Sequence, residues 1–210
     1  MKRIGAKSTV GITLILLIAV GCKSQSQSRT HLFNGEDFSG WVFVLQDEAV
    51  DPATVWSIRE GVIHCIGQPY GYMRTETVFA DYRLHVEWRW PEVEGNSGIF
   101  VHMQEPDQVW PPQIECQLQS GNAGDFVAFQ GVSFNELERR VVRKREESSE
   151  NPLGQWNVGE IVCRNDTIRV FINDVLQNEA TGTTISSGRI GLQSEGQPIE
   201  FRNVYIDALN

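Results

Sequence analysis

The sequence predicts an all-β protein built as a two-sheet antiparallel sandwich, and three observations support this prediction. Apolar and polar residues alternate along most of the chain, which is the period of a half-buried strand. Glycine and asparagine interrupt these runs at short intervals, and helical periodicity is scarce. Residues 31–210 are long enough to bury one sizeable core, so we predict a single domain there.

The predicted strands follow in chain order from the alternating runs. Their apolar members are Leu84, Val86, Trp88 and Trp90; Ile99, Val101 and Met103; Ile114, Cys116 and Leu118; Ile168, Val170 and Ile172; Ile190 and Leu192; and Ile199 and Phe201. One face of each strand is therefore predicted to pack inward, and the other face to carry polar groups. Hairpin turns are predicted at Asn165-Asp166 and Asn173-Asp174, although both lack the usual glycine. About ten such strands with short turns make a two-sheet sandwich.

One segment, residues 134–151, breaks the alternating pattern. It carries densely mixed charges, including the run from Arg143 to Glu147. This composition predicts an exposed loop with at most one short helix, and a lid over a binding site is the functional alternative.

The first residues of the chain have the pattern of an export signal. A basic start is followed by an apolar run over residues 10–20, which is too short to span a membrane as a helix. Small Ala19 and Gly21 precede Cys22, so the segment resembles a bacterial lipoprotein cleavage site with Cys22 as the lipidated first residue. Ordinary secretory cleavage nearby, with Cys22 unmodified, is the alternative.

These signals predict a domain organisation and a location. Residues 1–21 are predicted to be a lipoprotein signal peptide, and residues 22–30, rich in serine and glutamine, a flexible tether. A single sandwich domain is predicted over residues 31–210. We expect the protein in the bacterial cell envelope, periplasmic or at the cell surface, with the membrane as a partner through its N-terminal lipid anchor.

Charge and cysteine content limit the partners further. The formal net charge is -9, with 27 acidic against 18 basic residues, which argues against nucleic acid as a partner. Beyond Cys22, three cysteines lie in apolar runs without the close spacing of a zinc site: Cys65, Cys116 and Cys163. We predict small buried residues, and one disulfide among them remains an alternative.

The polar faces of two predicted strands have an unusual composition. Glu115, Gln117 and Gln119 share the polar face of one strand, and His102 lies on the polar face of the other. Amide and carboxylate groups in a row suit hydrogen bonding to hydroxyls. Aromatic residues that lie close by in the sequence are Tyr70, Tyr72, Phe100 and Trp110. Flat aromatic faces with amides and carboxylates are typical of a carbohydrate-binding groove, whereas a merely solvated face is the structural alternative.

Nine segments together support a resemblance to a known family. They are LFNGEDFSGW (32–41), GYMRT (71–75), DYRLHVEWRW (81–90), GNSGIF (95–100), IECQL (114–118), GNAGD (121–125), GQWN (154–157), GRIGLQSEG (188–196) and IEFRNV (199–204). In this order and spacing they resemble the 3-keto-disaccharide hydrolase family over about residues 31–208. Two details depart from the family pattern, because the turn at Asn173-Asp174 more often has glycine second and many relatives carry a histidine within residues 193–195.

The resemblance implies a concanavalin A-like jelly roll and the cleavage of 3-keto-glycosides. A ketone at sugar carbon 3 acidifies the hydrogen on carbon 2, so a base can remove it and the enolate can expel the aglycone from carbon 1. This chemistry needs a general base, a stabiliser for the enolate oxygen and an acid for the leaving group. Direct hydrolysis by two carboxylates is one alternative. A non-catalytic carbohydrate-binding lipoprotein or a structural envelope protein are the others, because the fold alone decides none of them.

Three residues are candidates for catalysis. Glu115 is the first candidate for the acid or base, because it alternates with Gln117 on a strand whose opposite face is apolar. His102 is a candidate for sharing proton transfer, and Arg74 for stabilising an oxyanion. Each has a structural alternative: a carboxylate bonded between strands, a structural histidine and an ordinary salt bridge.

Six further residues are candidates for binding substrate: Gln117, Trp110, Tyr72, Asp125, Gln193 and Glu195. A divalent metal is a candidate cofactor, with Glu115, His102 and Asp125 as suitable oxygen and nitrogen ligands, although their spacing is not diagnostic. No phosphate loop, nucleotide fingerprint or serine elbow occurs in the sequence.

Overall fold

The computed structural model of the chain describes Met1 and residues 28–209. The predicted signal peptide from residue 2 onward, Cys22 and the predicted tether up to residue 27 lie outside the described residues. Within the described part of the chain, no helix has the length and apolar character needed to cross a membrane.

Residues 28–209 form fifteen β-strands and one short 3₁₀ helix at Pro52–Thr54. The strands are β1 (Arg29–His31), β2 (Trp41–Leu45), β3 (Trp56–Arg59), β4 (Val62–Cys65), β5 (Gly71–Thr75), β6 (Tyr82–Arg89), β7 (Gly98–Met103), β8 (Gln113–Gln117), β9 (Phe126–Phe129), β10 (Val141–Val142), β11 (Asn157–Arg164), β12 (Thr167–Ile172), β13 (Val175–Ala180), β14 (Arg189–Ser194) and β15 (Ile199–Ala208).

The strands form two antiparallel sheets, which confirms the predicted all-β jelly-roll sandwich. The eight-stranded sheet has the order β13-β12-β11-β6-β15-β4-β3, with β1 also paired to β15. The seven-stranded sheet has the order β10-β9-β8-β7-β14-β5-β2. The core lies between them and includes the fully buried residues Trp56, Trp88, Leu84, Ile99, Phe126 and Phe201. Burying a large apolar side chain of this kind contributes about 1.5–3 kcal/mol.

The two sheets differ in how their outer faces are covered. In β6, buried Tyr82, Leu84, Val86 and Trp88 alternate with more exposed residues, as predicted. All six residues of β7 are buried, as are the first four of β8, so these strands are covered on both faces. A second apolar cluster causes this difference, since Tyr72, Phe100 and Met103 pack together on the outer face with Val44 and Trp110.

The predicted hairpin turns and buried thiols are confirmed. Asn165 links β11 to β12 at a φ of 53°, and Asn173 and Asp174 link β12 to β13 at 50° and 67°. Asparagine and aspartate tolerate this left-handed region, which explains why no glycine is needed. The cysteines at 65, 116 and 163 are free and buried, so no disulfide links them.

Two predicted boundaries differ from the structure. Arg29 and Thr30, which the sequence assigns to the tether, form β1 because Arg29 pairs with Asp207 through two hydrogen bonds of 2.9 Å. The segment at 134–151 contains no helix and instead contributes β10, which pairs with β9. Its backbone is held by neighbouring side chains, including Asn178, whose amide donates to the carbonyl groups of Val142 and Arg143.

Candidate functional site

A groove crosses the outer face of the seven-stranded sheet. Its central cleft has a volume of about 250 Å³ and is lined by Asn96, Trp110, Glu115, Gln117, Val127, Phe129, Arg140, Val141 and Glu195. A hollow of about 450 Å³ adjoins it across Asn96 and Glu195, and one of about 340 Å³ adjoins it across Trp110, Phe129 and Arg140. The two adjoining hollows are each in the volume range of small-ligand sites.

Glu115 lies at the floor of the cleft and is only 2% exposed. It projects from β8, opposite Phe100 of β7 and Val127 of β9. Its Oε1 atom has no hydrogen-bond partner among the described residues. Burial raises the pKa of this carboxyl well above its ordinary value, the charge of Glu195 raises it further, and Arg140 opposes the shift.

The absence of a side chain at Gly98 makes room for this carboxyl. A Cβ atom at Gly98 would lie 2.5 Å from Oε1 of Glu115, closer than any ordinary contact. Gly98 is next to Gln117 in the ladder between β7 and β8. The local pattern Gly98-Ile99-Phe100 therefore places an open position beside the buried acid.

A second carboxyl group lies at the end of β14. Glu195 is half-buried and accepts a hydrogen bond of 2.8 Å from the amide of Asn96. Burial raises the pKa of Glu195, and the side chain of Gln193 and the charge of Arg140 oppose the shift. The hydroxyl of Ser97 donates to the carbonyl of Gln193 at 2.8 Å, which fixes the two segments together. Two coupled carboxyls in environments of different burial can divide acid and base roles between them.

An aromatic wall borders the cleft. The rings of Trp110 and Phe129 are nearly parallel, with centroids 5.5 Å apart and an interplanar angle of 10°. Tyr70 lies 6.4 Å from Trp110 and is 37% exposed. The guanidinium of Arg140 lies 4.4 Å from the centroid of Phe129. A sugar ring can stack on such a wall while its hydroxyls reach the polar groups of the cleft.

Gln117, Gln193 and Tyr72 occupy different depths of the same face. Gln117 lines the cleft, and its Oε1 accepts from the backbone N–H groups of Leu118 and Gln119, both at 3.1 Å. Gln193 is fully buried opposite Tyr72, and its side-chain oxygen lacks a partner among the described residues. Tyr72 is also fully buried, with its hydroxyl donating to the carbonyl of Gln108 at 3.1 Å, so it supports the floor.

The structure does not bring Arg74 to the cleft. Its guanidinium pairs with Asp107 through bonds of 2.7 and 2.5 Å, which is the structural alternative that the sequence left open. Three strand spacings separate β5 from β8, or about 14 Å between Arg74 and Glu115. Arg74 therefore braces the loop between β7 and β8, which carries Trp110.

His102 is also separated from Glu115, because the backbone bulges at this residue. His102 has a φ of 52°, and the register between β7 and β14 shifts there. Its ring consequently packs against Tyr82 of the opposite sheet, with centroids 5.8 Å apart, and is fully buried. Burial lowers its pKa, and carbonyl groups of Ile185 and Ala80 lie 3.3 and 3.4 Å from its nitrogens.

Asp125 serves a structural contact instead of lining the cleft. It is 1% exposed, and its two oxygens accept from the Arg143 guanidinium at 2.6 Å and the Lys144 backbone N–H at 2.7 Å. Because Asp125, His102 and Glu115 have these separate surroundings, they do not form the metal site considered from the sequence. Among the residues that the structure describes, no group of three or more His, Cys, Asp or Glu side chains could hold a metal ion.

Five residues of the cleft were not among the sequence candidates: Asn96, Val127, Phe129, Arg140 and Val141. Asn96 stands in Gly95-Asn96-Ser97-Gly98, a pattern that indicates a turn as readily as a site. Arg140 belongs to the charged segment at 134–151, and only the lid alternative pointed to that segment. Its position over Phe129 depends on the pairing of β10 with β9, which charge pattern does not encode.

The fold and the groove define a jelly-roll protein with a polar and aromatic site of the kind that binds carbohydrate. The chain belongs to the 3-keto-alpha-glucoside-1,2-lyase-like domain family, whose model matches residues 28–207. This match confirms the resemblance identified from the sequence. The protein therefore contains a glycoside hydrolase- or lyase-like domain.

Solved structures support the fold assignment. A proposed glycosyl hydrolase from Parabacteroides distasonis ATCC 8503 is 21% identical, with a TM-score of 0.66 over 87% of this chain and 94% of that chain. The carbohydrate-binding module CBM66 from Bacillus subtilis is 11% identical, with a TM-score of 0.60 over 80% and 96%. The β-glucanase of Bacillus licheniformis is 13% identical, with a TM-score of 0.57 over 89% and 100%. A comparison with curated proteins found no match.

Proposed function

We propose that this protein is a glycoside-cleaving enzyme that acts on 3-keto-glycosides or related oligosaccharides. The observation that carries this proposal is Glu115, a buried carboxyl with an unpartnered oxygen at the floor of a polar and aromatic cleft. A buried acid without a structural partner is destabilising, so its presence favours a chemical role. Membership of the family supports the same reaction class.

The different surroundings of the two carboxyls suggest their roles. Glu115 is the more deeply buried, and burial favours its protonated form, so we assign it as the acid that protonates the leaving oxygen. Glu195 is half-buried and more readily ionised, so we assign it as the base that removes the proton from carbon 2. The amide of Asn96 holds this carboxylate in place.

The reaction then proceeds by elimination. The base takes the proton from carbon 2, and the electron pair of that bond forms the enolate with the oxygen on carbon 3. When the enolate collapses, the bond from carbon 1 to the aglycone oxygen breaks, and the acid supplies a proton to the departing alcohol. Addition of water to the resulting enone gives the free keto sugar.

The deciding experiment is turnover of a chromogenic 3-keto-glucoside, with its unoxidised parent glucoside as the comparison substrate. We expect release from the keto sugar alone, and a loss of kcat of about 100-fold or more in Glu115→Gln, since general acid–base catalysis contributes that much. Glu138→Gln is the matched control, because Glu138 is exposed and lines a different hollow.

The other outcomes separate the remaining functions. Release from both sugars would indicate direct hydrolysis by the two carboxyls. Binding of sugar without release, unchanged in Glu115→Gln, would indicate a carbohydrate-binding protein. The stacked aromatic wall and the fold shared with a carbohydrate-binding module support the carbohydrate-binding alternative.

We also propose that the enzyme works in the bacterial cell envelope, attached by a lipid on Cys22. The support is the leader pattern of residues 1–21 and the cysteine that follows it. A protein anchored there meets oligosaccharides outside the cytoplasm, which agrees with the proposed substrate class.

A further inference from the structure

The proposed reaction needs a positive group for the enolate oxygen, and the sequence candidate for that role is engaged elsewhere. Arg74 forms two hydrogen bonds with Asp107. Its charge is therefore neutralised within the loop that it braces. Any cation that serves the reaction must lie close to the two carboxyls of the cleft.

Arg140 meets this requirement. It lines both the central cleft and the adjoining hollow beside Trp110. Its charge lowers the pKa values of both Glu115 and Glu195, and no other cation among the described residues does so for either carboxyl. Its guanidinium is exposed to the groove, so a bound sugar can reach it.

The contacts of Arg140 leave its charge available. Nine other arginines pair with a carboxylate: Arg29, Arg74, Arg83, Arg89, Arg143, Arg145, Arg169, Arg189 and Arg202. Arg140 forms no ion pair with a described carboxylate and is held instead over the ring of Phe129. An aromatic face orients a guanidinium without neutralising it, so the group keeps its N–H donors for a ligand.

We propose that Arg140 stabilises the oxygen on carbon 3 as it becomes an enolate. When the base removes the proton from carbon 2, negative charge develops on that oxygen, and the guanidinium donates hydrogen bonds to it. The stabilisation is greatest in the transition state, because the ground-state ketone carries no full charge. This assignment rests on the proposed function, since only a 3-keto sugar forms this enolate.

The test compares wild type with Arg140→Gln, Arg140→Lys and Arg139→Gln on the chromogenic 3-keto-glucoside. Arg139→Gln is the matched control, because it removes one positive charge from the residue next to Arg140. Arg139 is exposed and lines another hollow. We expect Arg140→Gln to lower kcat by about 100-fold with KM little changed, as for the loss of one oxyanion donor. Arg140→Lys should recover part of this loss, and Arg139→Gln should behave as wild type.

The pH profile gives a second readout that a purely structural role would not move. Arg140 holds down the pKa values of Glu115 and Glu195, so its loss raises both. Both limbs of the kcat profile should therefore shift to higher pH in Arg140→Gln and remain in place in Arg139→Gln.

Three results would overturn the assignment. Equal losses in the Arg139 and Arg140 variants would indicate a general charge effect. A raised KM with unchanged kcat would make Arg140 a binding residue only. If wild type itself releases nothing from the keto sugar, no enolate is formed, and the proposed function fails together with this role. Equal losses in the two arginine variants, or a raised KM alone, would leave the proposed function intact.

Discussion

At the scale of single residues, the cleft is organised around the space that a glycine leaves. Glu115 occupies the volume where a side chain at position 98 would be, and its neighbours Phe100 and Val127 limit where else the carboxyl can go. Gly98 is the first residue of β7, and the close approach of the acid explains why this position has no side chain.

Substituting Gly98→Ala tests this packing. Its φ is not in the left-handed region, so the added methyl acts through its clash with Glu115 and not through backbone strain. We expect kcat to fall by about 100-fold, since a displacement of about 1 Å of a catalytic group has that effect. Overpacking should also cost about 1–3 kcal/mol of unfolding free energy, measured by chemical denaturation.

A matched control is available at Gly159→Ala. A Cβ atom there would meet Ile99 at 3.5 Å, an ordinary contact, in the opposite sheet. Activity close to wild type is expected. If Gly98→Ala retained full kcat, or lost it equally in a Glu115→Gln background, the positioning argument would be wrong.

At the scale of elements, the loop between β7 and β8 positions the aromatic wall. Two side chains of β5 hold it: the Arg74 guanidinium binds Asp107 through two hydrogen bonds, and the Tyr72 hydroxyl donates to the carbonyl of Gln108. Trp110 follows directly and stacks on Phe129 of β9. The loop is therefore tied to the sheet on both sides of the cleft.

Asp107→Asn should loosen this loop. The substitution leaves the buried guanidinium of Arg74 without a charged partner, which destabilises the fold. Because the side chain of Asp107 is itself 37% exposed, solvent limits the expected loss to about 1–2 kcal/mol of unfolding free energy. Because Trp110 moves with the loop, KM should rise several-fold while kcat changes less. Steady-state kinetics and thermal unfolding at neutral pH measure these two effects.

Glu105→Gln is the comparison for this variant. Glu105 lies in the same loop, and the substitution breaks its ion pair with Arg189 of β14. Because the Glu105 side chain is 69% exposed, little change in stability or KM is expected. Equal effects of Asp107→Asn and Glu105→Gln would show that the loop responds to any loss of charge. The ion pair between Arg74 and Asp107 would then not be what positions Trp110.

At the scale of the whole molecule, the sequence predicts one sheet better than the other. Alternation predicts the solvent-facing outer faces of β6 and β12 correctly, whereas β7 and most of β8 are covered on both faces by residues distant in sequence. The same limit applies to the site. Four sequence candidates share the cleft, namely Glu115, Gln117, Trp110 and Glu195, and strand alternation places the first two on one face.

Three candidates, His102, Arg74 and Asp125, lie outside the cleft, and the local sequence around each does not predict this. A bulge turns His102 into the core, and Asp107 and Arg143 engage Arg74 and Asp125. Each of these reasons involves a partner or register set by long-range pairing. Conversely, Arg140 enters the cleft through the short pairing of β10 with β9 inside a segment that composition assigns to a loop.

The arrangement of the two sheets also bears on how an anchored protein would meet its substrate. The chain enters the domain at β1, which pairs with β15 in the sheet opposite the groove. Five residues lie between Cys22 and Ser28, so Cys22 can be at most about 20 Å from Ser28. A lipid on Cys22 would hold the domain near the membrane from that sheet and leave the groove free for oligosaccharides.

Cys22→Ala tests the anchor in a bacterial host that expresses the full chain. Wild type should incorporate labelled palmitate and fractionate with membranes, because an acylated N-terminal cysteine anchors stably through several chains. Cys22→Ala should lose the label and appear in the soluble fraction, with kcat on the soluble keto sugar unchanged, since the groove residues are unaltered. An unlabelled, soluble wild type would instead indicate ordinary secretory cleavage.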